Sequence, residues 1–306
     1  MTIEPIDKLT FHPPERTRRS DGALRRAGFE IELGGAKPGA VARIVASLFD
    51  GEAARVNPHV WRIDGTRFGD FRVELDWRFL TRQGYRSFLE RAGIEVSASL
   101  EDFVNDVAHH VVPCEIVCPP IAVDALQNLN ALEEMLRWEG AEGSDASVLN
   151  ALGLQINIEL VDESIETILA HLRAFIDRYA WLERQIDPGL TRRVTRFAAP
   201  FPDDYAQLVL DPEYAPNAER FTDDYLDHNP TRNRALDLLP ILAHLDEERV
   251  LARAKEPDLV KPRPALHYRL PSCRLDDPDW SIALEWNRWL EIERRADHWM
   301  SARVVC

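Results

Sequence analysis

The chain has 306 residues, 45% of them hydrophobic, which is enough apolar material for a full core in one large domain or two. Its formal charge of −15 excludes a nucleic-acid backbone as the expected partner, because a phosphate-binding surface needs a basic field. No uncharged apolar run is long enough to span a bilayer, so no membrane segment is expected.

Four cysteines (Cys114, Cys118, Cys273 and Cys306), without a secretory leader or a dense framework, are expected to be reduced thiols of a cytoplasmic protein. Cys114 and Cys118 resemble half a metal site, but no second pair at ligand spacing completes it. Residues 1–27 hold Pro13, Pro14 and a basic run (Arg16, Arg18, Arg19, Arg25, Arg26) with little apolar periodicity, which reads as an irregular, solvated arm before one domain over 28–306.

The chain then alternates strand and helix patterns. In Gly28–Leu33 the period of two puts Phe29, Ile31 and Leu33 on one face and Glu30 and Glu32 on the other. Pro38 opens an amphipathic helix carrying Val41, Ile44, Val45, Leu48 and Phe49. Residues 56–80 read as strands broken at Asp64-Gly65 and Gly69-Asp70, with Glu74 and Asp76 sharing a face. A short helix is expected over 99–109. Residues 111–118 form a strand stopped by Pro119-Pro120, and its Glu115 is a lone acid in an apolar run, costly unless paired or bound to a cation. Helices are expected over 122–138, after a cap at Asp162 or Ser164, and over 231–247. Between them, 153–160 is a strand with Gln155, Asn157 and Glu159 on one face. The proline-rich stretch 187–230, with Arg192, Arg193 and Arg196, reads as a long loop or lid. The last strand, 265–270, sets His267 and Arg269 on one face in parity with Arg263, and a Trp-rich helix follows. Several turns are too short for parallel crossovers, so the expectation is an α+β fold on a mainly antiparallel sheet.

An antiparallel sheet wetted on one side also alternates apolar and polar residues, and for Glu74 and Asp76, flanked by Arg72 and Arg78, that plainer reading carries equal weight. Glu30, Glu32 and Glu115 ask for more. Carboxylates gathered on one face raise one another's pKa unless a cation lies among them, and hard oxygen donors suit Mg²⁺ or Mn²⁺. Acids that hold such a metal, together with Arg263 and Arg269, are equipment for handling the phosphates of ATP. No Gly-rich phosphate loop of Walker type is present.

In order, the motifs GFEIEL, PCEIVCPP, GLQINIEL and ALHYRLPSCRLD before the Trp-rich helix resemble the amidoligase family, relatives of glutamine synthetase and glutamate–cysteine ligase, over about residues 28–295. The resemblance implies a glutamine synthetase/guanido kinase-like fold, a curved antiparallel sheet with helices on its outer face. It also implies an ATP- and Mg²⁺-dependent ligase that joins a carboxylate to ammonia or an amine through an acyl-phosphate. By the same resemblance Glu30 and Glu32 ligate metal, with Glu159 beside them, and Glu115 ligates metal or positions the amine. Arg269, with Arg263, faces phosphate. The family's two histidines are replaced by Gln155 and Asn157, which can hydrogen-bond substrate or nucleotide, and its glutamate before the arginine by His267, which can ligate metal or take a proton. The implied partners are a small-molecule or peptide carboxylate and a glutamine amidotransferase-like source of ammonia. Two other readings stand beside this one: a degenerate member kept as a binding module, and a metal-dependent hydrolase using the same acids.

Overall fold

The computed structural model describes residues 6–57, 59–75, 112–143, 152–186 and 198–302. The helix expected over 99–109, together with Asp76, Arg78, Arg192, Arg193, Arg196 and Cys306, lies outside the described residues. In chain order the elements are β1 (Arg26–Leu33), α1 (Pro38–Phe49), β2 (Glu52–Asn57), β3 (Val60–Thr66), β4 (Gly69–Leu75), β5 (Cys114–Val117), β6 (Ile121–Ala122) and α2 (Leu129–Trp138). They continue with β7 (Leu154–Glu159), α3 (Ile165–Ile186), α4 (Asp203–Leu210), α5 (Ala218–His228), β8 (Leu236–Asp237), α6 (Leu239–Leu245), α7 (Glu247–Leu251), β9 (Ala265–Tyr268) and α8 (Ile282–Ala302).

The strands form one open sheet in the order β2-β3-β4-β5-β1-β7-β9-β8, with β6 added to β1. Every pairing between these strands is antiparallel. The fold is α+β, as the short connections required. One face of the sheet is apolar and buried: Phe71 and Val73 on β4, Ile116 on β5, Phe29 and Ile31 on β1, Ile156 and Ile158 on β7, and Leu266 and Tyr268 on β9. Helices cover that face, with Trp286 of α8 6.5 Å from Phe29, Trp289 5.3 Å from Tyr268, and Phe175 of α3 6.0 Å from Tyr268. Cys114, Cys118 and Cys273 are buried free thiols, and burial pushes all three pKa values up, which makes them inert.

Several elements differ from their sequence reading. Asp64-Gly65 is not a turn: it lies within β3, where the register shifts between Ile63 and Thr66, and the hairpin turns two residues later ahead of Gly69, whose φ of +115° suits glycine. The expected helix over 122–138 is preceded by the two-residue strand β6 and begins at Leu129, and the one over 231–247 gives way to β8 before α6 starts at Leu239. The stretch 187–230 is not simply a loop, because 203–210 and 218–228 are helical. Asn217 caps α5 by accepting from Arg220 N–H at 2.9 Å, and Pro202 and Pro216 sit just before the two helices rather than inside them.

Residues 6–25 carry none of the named strands or helices, and parts of this stretch pack on the body of the protein while others, such as Leu9, are exposed. Phe11 is buried edge-on to Phe29 at 6.4 Å, and Asn287 of α8 donates to the carbonyls of Asp7 and Thr10, both at 2.8 Å. Arg25, read as part of an exposed basic run, is buried in a bidentate pair with Glu293 at 2.9 and 2.6 Å.

Candidate functional site

The second face of the sheet is polar, and strand register arranges it in rows that run across the strands. The first row is Glu74 on β4, Glu115 on β5 and Glu32 on β1. Neighbouring strands lie about 5 Å apart, so these three carboxylates are consecutive neighbours. Arg72 pairs with Glu74 at 3.1 Å. Glu32 Oε2 accepts from Gly153 N–H at 2.7 Å, and a Cβ at Gly153 would stand 3.2 Å from that oxygen, so glycine leaves room for the carboxylate.

The second row pairs Glu30 with Gln155, and the third runs from Gly28 through Asn157 and His267 to Asp237. Glu30 Oε1 accepts from Gln155 Nε2 at 2.8 Å and from Asn157 Nδ2 at 2.9 Å. Gln155 Nε2 also donates to Asn157 Oδ1 at 2.8 Å and lies 3.2 Å from His267 Nδ1. The two amides thus bridge the acidic half of the face to a half with a different charge. There Asp237, fully buried, accepts from Leu239 N–H at 3.0 Å and from Arg269 Nη1 at 3.3 Å, with Arg232 Nε at 3.8 Å. Burial raises the Asp237 pKa, and Arg269 and Arg232 oppose that rise. His267 is 7% exposed, and burial, followed by the charges of Arg269, Arg232 and Arg263, holds its pKa well below the ordinary value, so the ring is neutral.

The structure therefore brings together Glu30, Glu32, Glu115, Gln155, Asn157, His267 and Arg269, with Arg263 exposed just before β9 and near enough to act on His267. It does not bring Glu159 to the other acids. Glu159 lies four residues along β7 from Gln155, roughly 13 Å away, and accepts from Arg26 N–H at 2.9 Å. Burial raises its pKa. Three residues of this face were missed or undervalued. Glu74 completes the acidic row. Asp237 falls in the 231–247 stretch whose apolar spacing reads as a helix, although an acid between Leu236 and Leu238 is the same signal as Glu115. Arg232 carries no sequence signal, since it stands outside any alternating or helical pattern.

The acidic row offers only hard oxygen donors, the chemistry a divalent Mg²⁺ or Mn²⁺ accepts. Among the described residues, however, no three His, Cys, Asp or Glu side chains are gathered as in a formed metal site. Among those residues, too, no helix is long and apolar enough to cross a membrane.

No curated protein and no solved structure matches the chain significantly. Residues 23–291 match the model of the family described as "Putative amidoligase enzyme". Since that match spans most of the 306 residues and takes in every residue of the polar sheet face, the chain belongs to the amidoligase family.

Proposed function

We propose that this chain uses ATP to activate a carboxylate as an acyl-phosphate and passes it to ammonia or an amine, forming an amide bond. The observation that carries this reading is the division of one sheet face into an acidic row (Glu74, Glu115, Glu32) and a basic end (Arg269, Arg232, Arg263), joined by Glu30, Gln155 and Asn157. A nucleotide lying across the sheet would find a cation-binding edge and an arginine edge. Glu32, Glu115 and Glu74 are not gathered as a formed metal site, so they would have to close on a Mg²⁺ or Mn²⁺ brought in with the nucleotide, which would neutralise phosphate oxygens. Arg269, steadied by Asp237, would face phosphate and the charge that moves in transfer. Glu115, in the middle of the acidic row, would alternatively attract an ammonium or amine. The order of the motifs along the strands supports a glutamine synthetase-like architecture for this arrangement, and an amidotransferase-like partner would supply ammonia.

Calorimetric titration with ATP, with and without Mg²⁺, tests the reading. Wild type should bind ATP in a Mg²⁺-dependent way and release ADP when acid and amine are supplied. Glu32→Gln and Glu115→Gln should each lose that turnover by about 10²-fold or more while keeping the thermal midpoint. Full activity in both variants sinks the assignment.

One observation favours the second reading, a binding module without turnover: Glu30 is already engaged by the Gln155 and Asn157 amides. That version predicts nucleotide or acid binding with no ADP release under any acid and amine pair.

A further inference from the structure

On the helix side of the sheet, away from the polar face, residues 7–12 of the arm are held as a ligand is held. Asn287 Nδ2 donates to the carbonyls of Asp7 and Thr10, both at 2.8 Å, and its Oδ1 accepts from His12 N–H at 3.1 Å, which spends both amide hydrogens on the arm. Gln127 accepts from Phe11 N–H at 3.0 Å and donates to the Leu9 carbonyl at 3.2 Å, where Asn130 also donates at 2.6 Å. Ser281 Oγ donates to the Lys8 carbonyl at 2.5 Å, and Trp286 Nε1 to the His12 carbonyl at 2.8 Å. Side chains of the body thus grip the main chain of this segment, and among the described residues no main-chain hydrogen bond joins the two.

The segment's own side chains add the rest. Asp7 Oδ1 accepts from Leu9 N–H at 2.7 Å and Thr10 N–H at 3.3 Å, which presets the bend. Lys8 pairs with Asp279 at 2.5 Å, and Phe11 is the buried anchor, edge-on to Phe29, whereas Leu9 is 70% exposed. Pro13 and Pro14 then form a stiff, extended hinge, because a residue before proline is kept out of the helical region. Past the hinge the chain is fastened again where Arg16 pairs with Asp297. An arm lifted at that hinge would leave the buried Asn287 amide and Trp286 N–H without partners and the Phe11 ring in water. A surface that restores all three at once is the same seat on another copy of the chain.

We infer that the seat formed by Asn287, Gln127, Asn130, Ser281 and Trp286 also receives the arm of a second copy, so that two copies pair by trading residues 7–12. The exchange remakes every contact of the seat and alters only the hinge, which keeps its cost low, and a mutual trade closes on itself as a two-fold dimer. The seat lies on the opposite side of the sheet from Glu30, and the inference stands apart from the ligase reading.

Two full-length variants separate the arm from the seat. Phe11→Ala keeps the seat and loses the anchor, whereas Asn287→Leu keeps the arm and loses the seat. Should Asn287→Leu fail to fold, Gln127→Ala with Asn130→Ala takes its place, since neither of those residues is buried. Sedimentation velocity should show each variant alone as a monomer and their mixture as a one-to-one complex, the intact arm of one filling the open seat of the other. Adding Gln127→Ala to the Phe11→Ala copy should weaken that complex about tenfold, and a synthetic peptide of residues 6–14 should dissolve it. A mixture that stays monomeric, or a complex that the peptide leaves intact, overturns the proposal. So does peptide uptake by the Phe11→Ala copy with no complex between the two variants, which would leave the seat to a segment of another protein.

Discussion

Arg25 joins the start of β1 to α8, and each of its three guanidinium nitrogens donates. It donates to the carbonyls of Glu159 and Arg16, both at 2.9 Å, and to both oxygens of Glu293, which also accepts from Trp289 Nε1 at 2.9 Å. Removing the cation alone strands a buried carboxylate, so Arg25→Met should cost about 3–5 kcal/mol in urea unfolding, and the pair Arg25→Met with Glu293→Leu should recover most of it. The same pair sets an acid limb. Burial pushes the Glu293 pKa up, but the charge and hydrogen bonds of Arg25, with help from His171 and Trp289, outweigh it and leave the group lowered. A depressed carboxylate contributes stability that is fully present above the unfolded-chain value and is lost as pH falls through the lower folded value. Wild type should therefore lose urea resistance over that acid window more steeply than Glu293→Gln. Parallel acid limbs would show that Arg25 confers no such linkage.

Among the elements, the β2–β3–β4 hairpin edge is the one whose packing a single methyl can test. Gly51 follows the left-handed Asp50 that ends α1, and a Cβ there would stand 2.6 Å from Thr66 Cγ2, 2.9 Å from Ile63 Cγ2 and 3.0 Å from the Asp64 carbonyl. Ile63 and Thr66 are both buried, so β3 itself must yield. Gly51→Ala should cost about 1–3 kcal/mol and speed hydrogen exchange in β2 and β3, while β7 and β9 stay protected. Uniform protection across the sheet would contradict that local cost. The elements also show what a sequence can disclose. Strands β1, β5, β7 and β9 were legible because each has one buried and one polar face, so Phe29, Glu30, Ile31 and Glu32 announce themselves by alternation. Strands β6 and β8 have two residues each, too few to show any period, and the apolar spacing of α2 and α6 ran over them unopposed. That is why Asp237 was hidden. Prolines misled in the opposite sense: Pro202 and Pro216 counted as breakers, yet a proline just before a helix starts it. Which acids meet across strands was not legible, because Glu74 and Glu115 become neighbours only through register.

Across the whole molecule, a net charge of −15 and the acidic half of the sheet face act together against an anionic nucleotide. Glu74, Glu115, Glu32 and Glu30 face the same way, while two of the arginines at the other end are partly neutralised by Asp237. For metal-free ATP the repulsive half should win, so its weak binding should hold steady or tighten as NaCl rises from about 10 to about 150 mM and the screening length falls from roughly 30 to roughly 8 Å. With Mg²⁺ the sign should reverse: the nucleotide then arrives with much of its charge cancelled, its phosphates meet the arginine end, and salt weakens those contacts. Affinity measured in EDTA and in Mg²⁺ at the two salt levels decides it. Metal-free affinity that drops steeply with salt, as for a polyanion on a basic surface, would mean that the arginine end alone holds the nucleotide and that the acidic row serves something else.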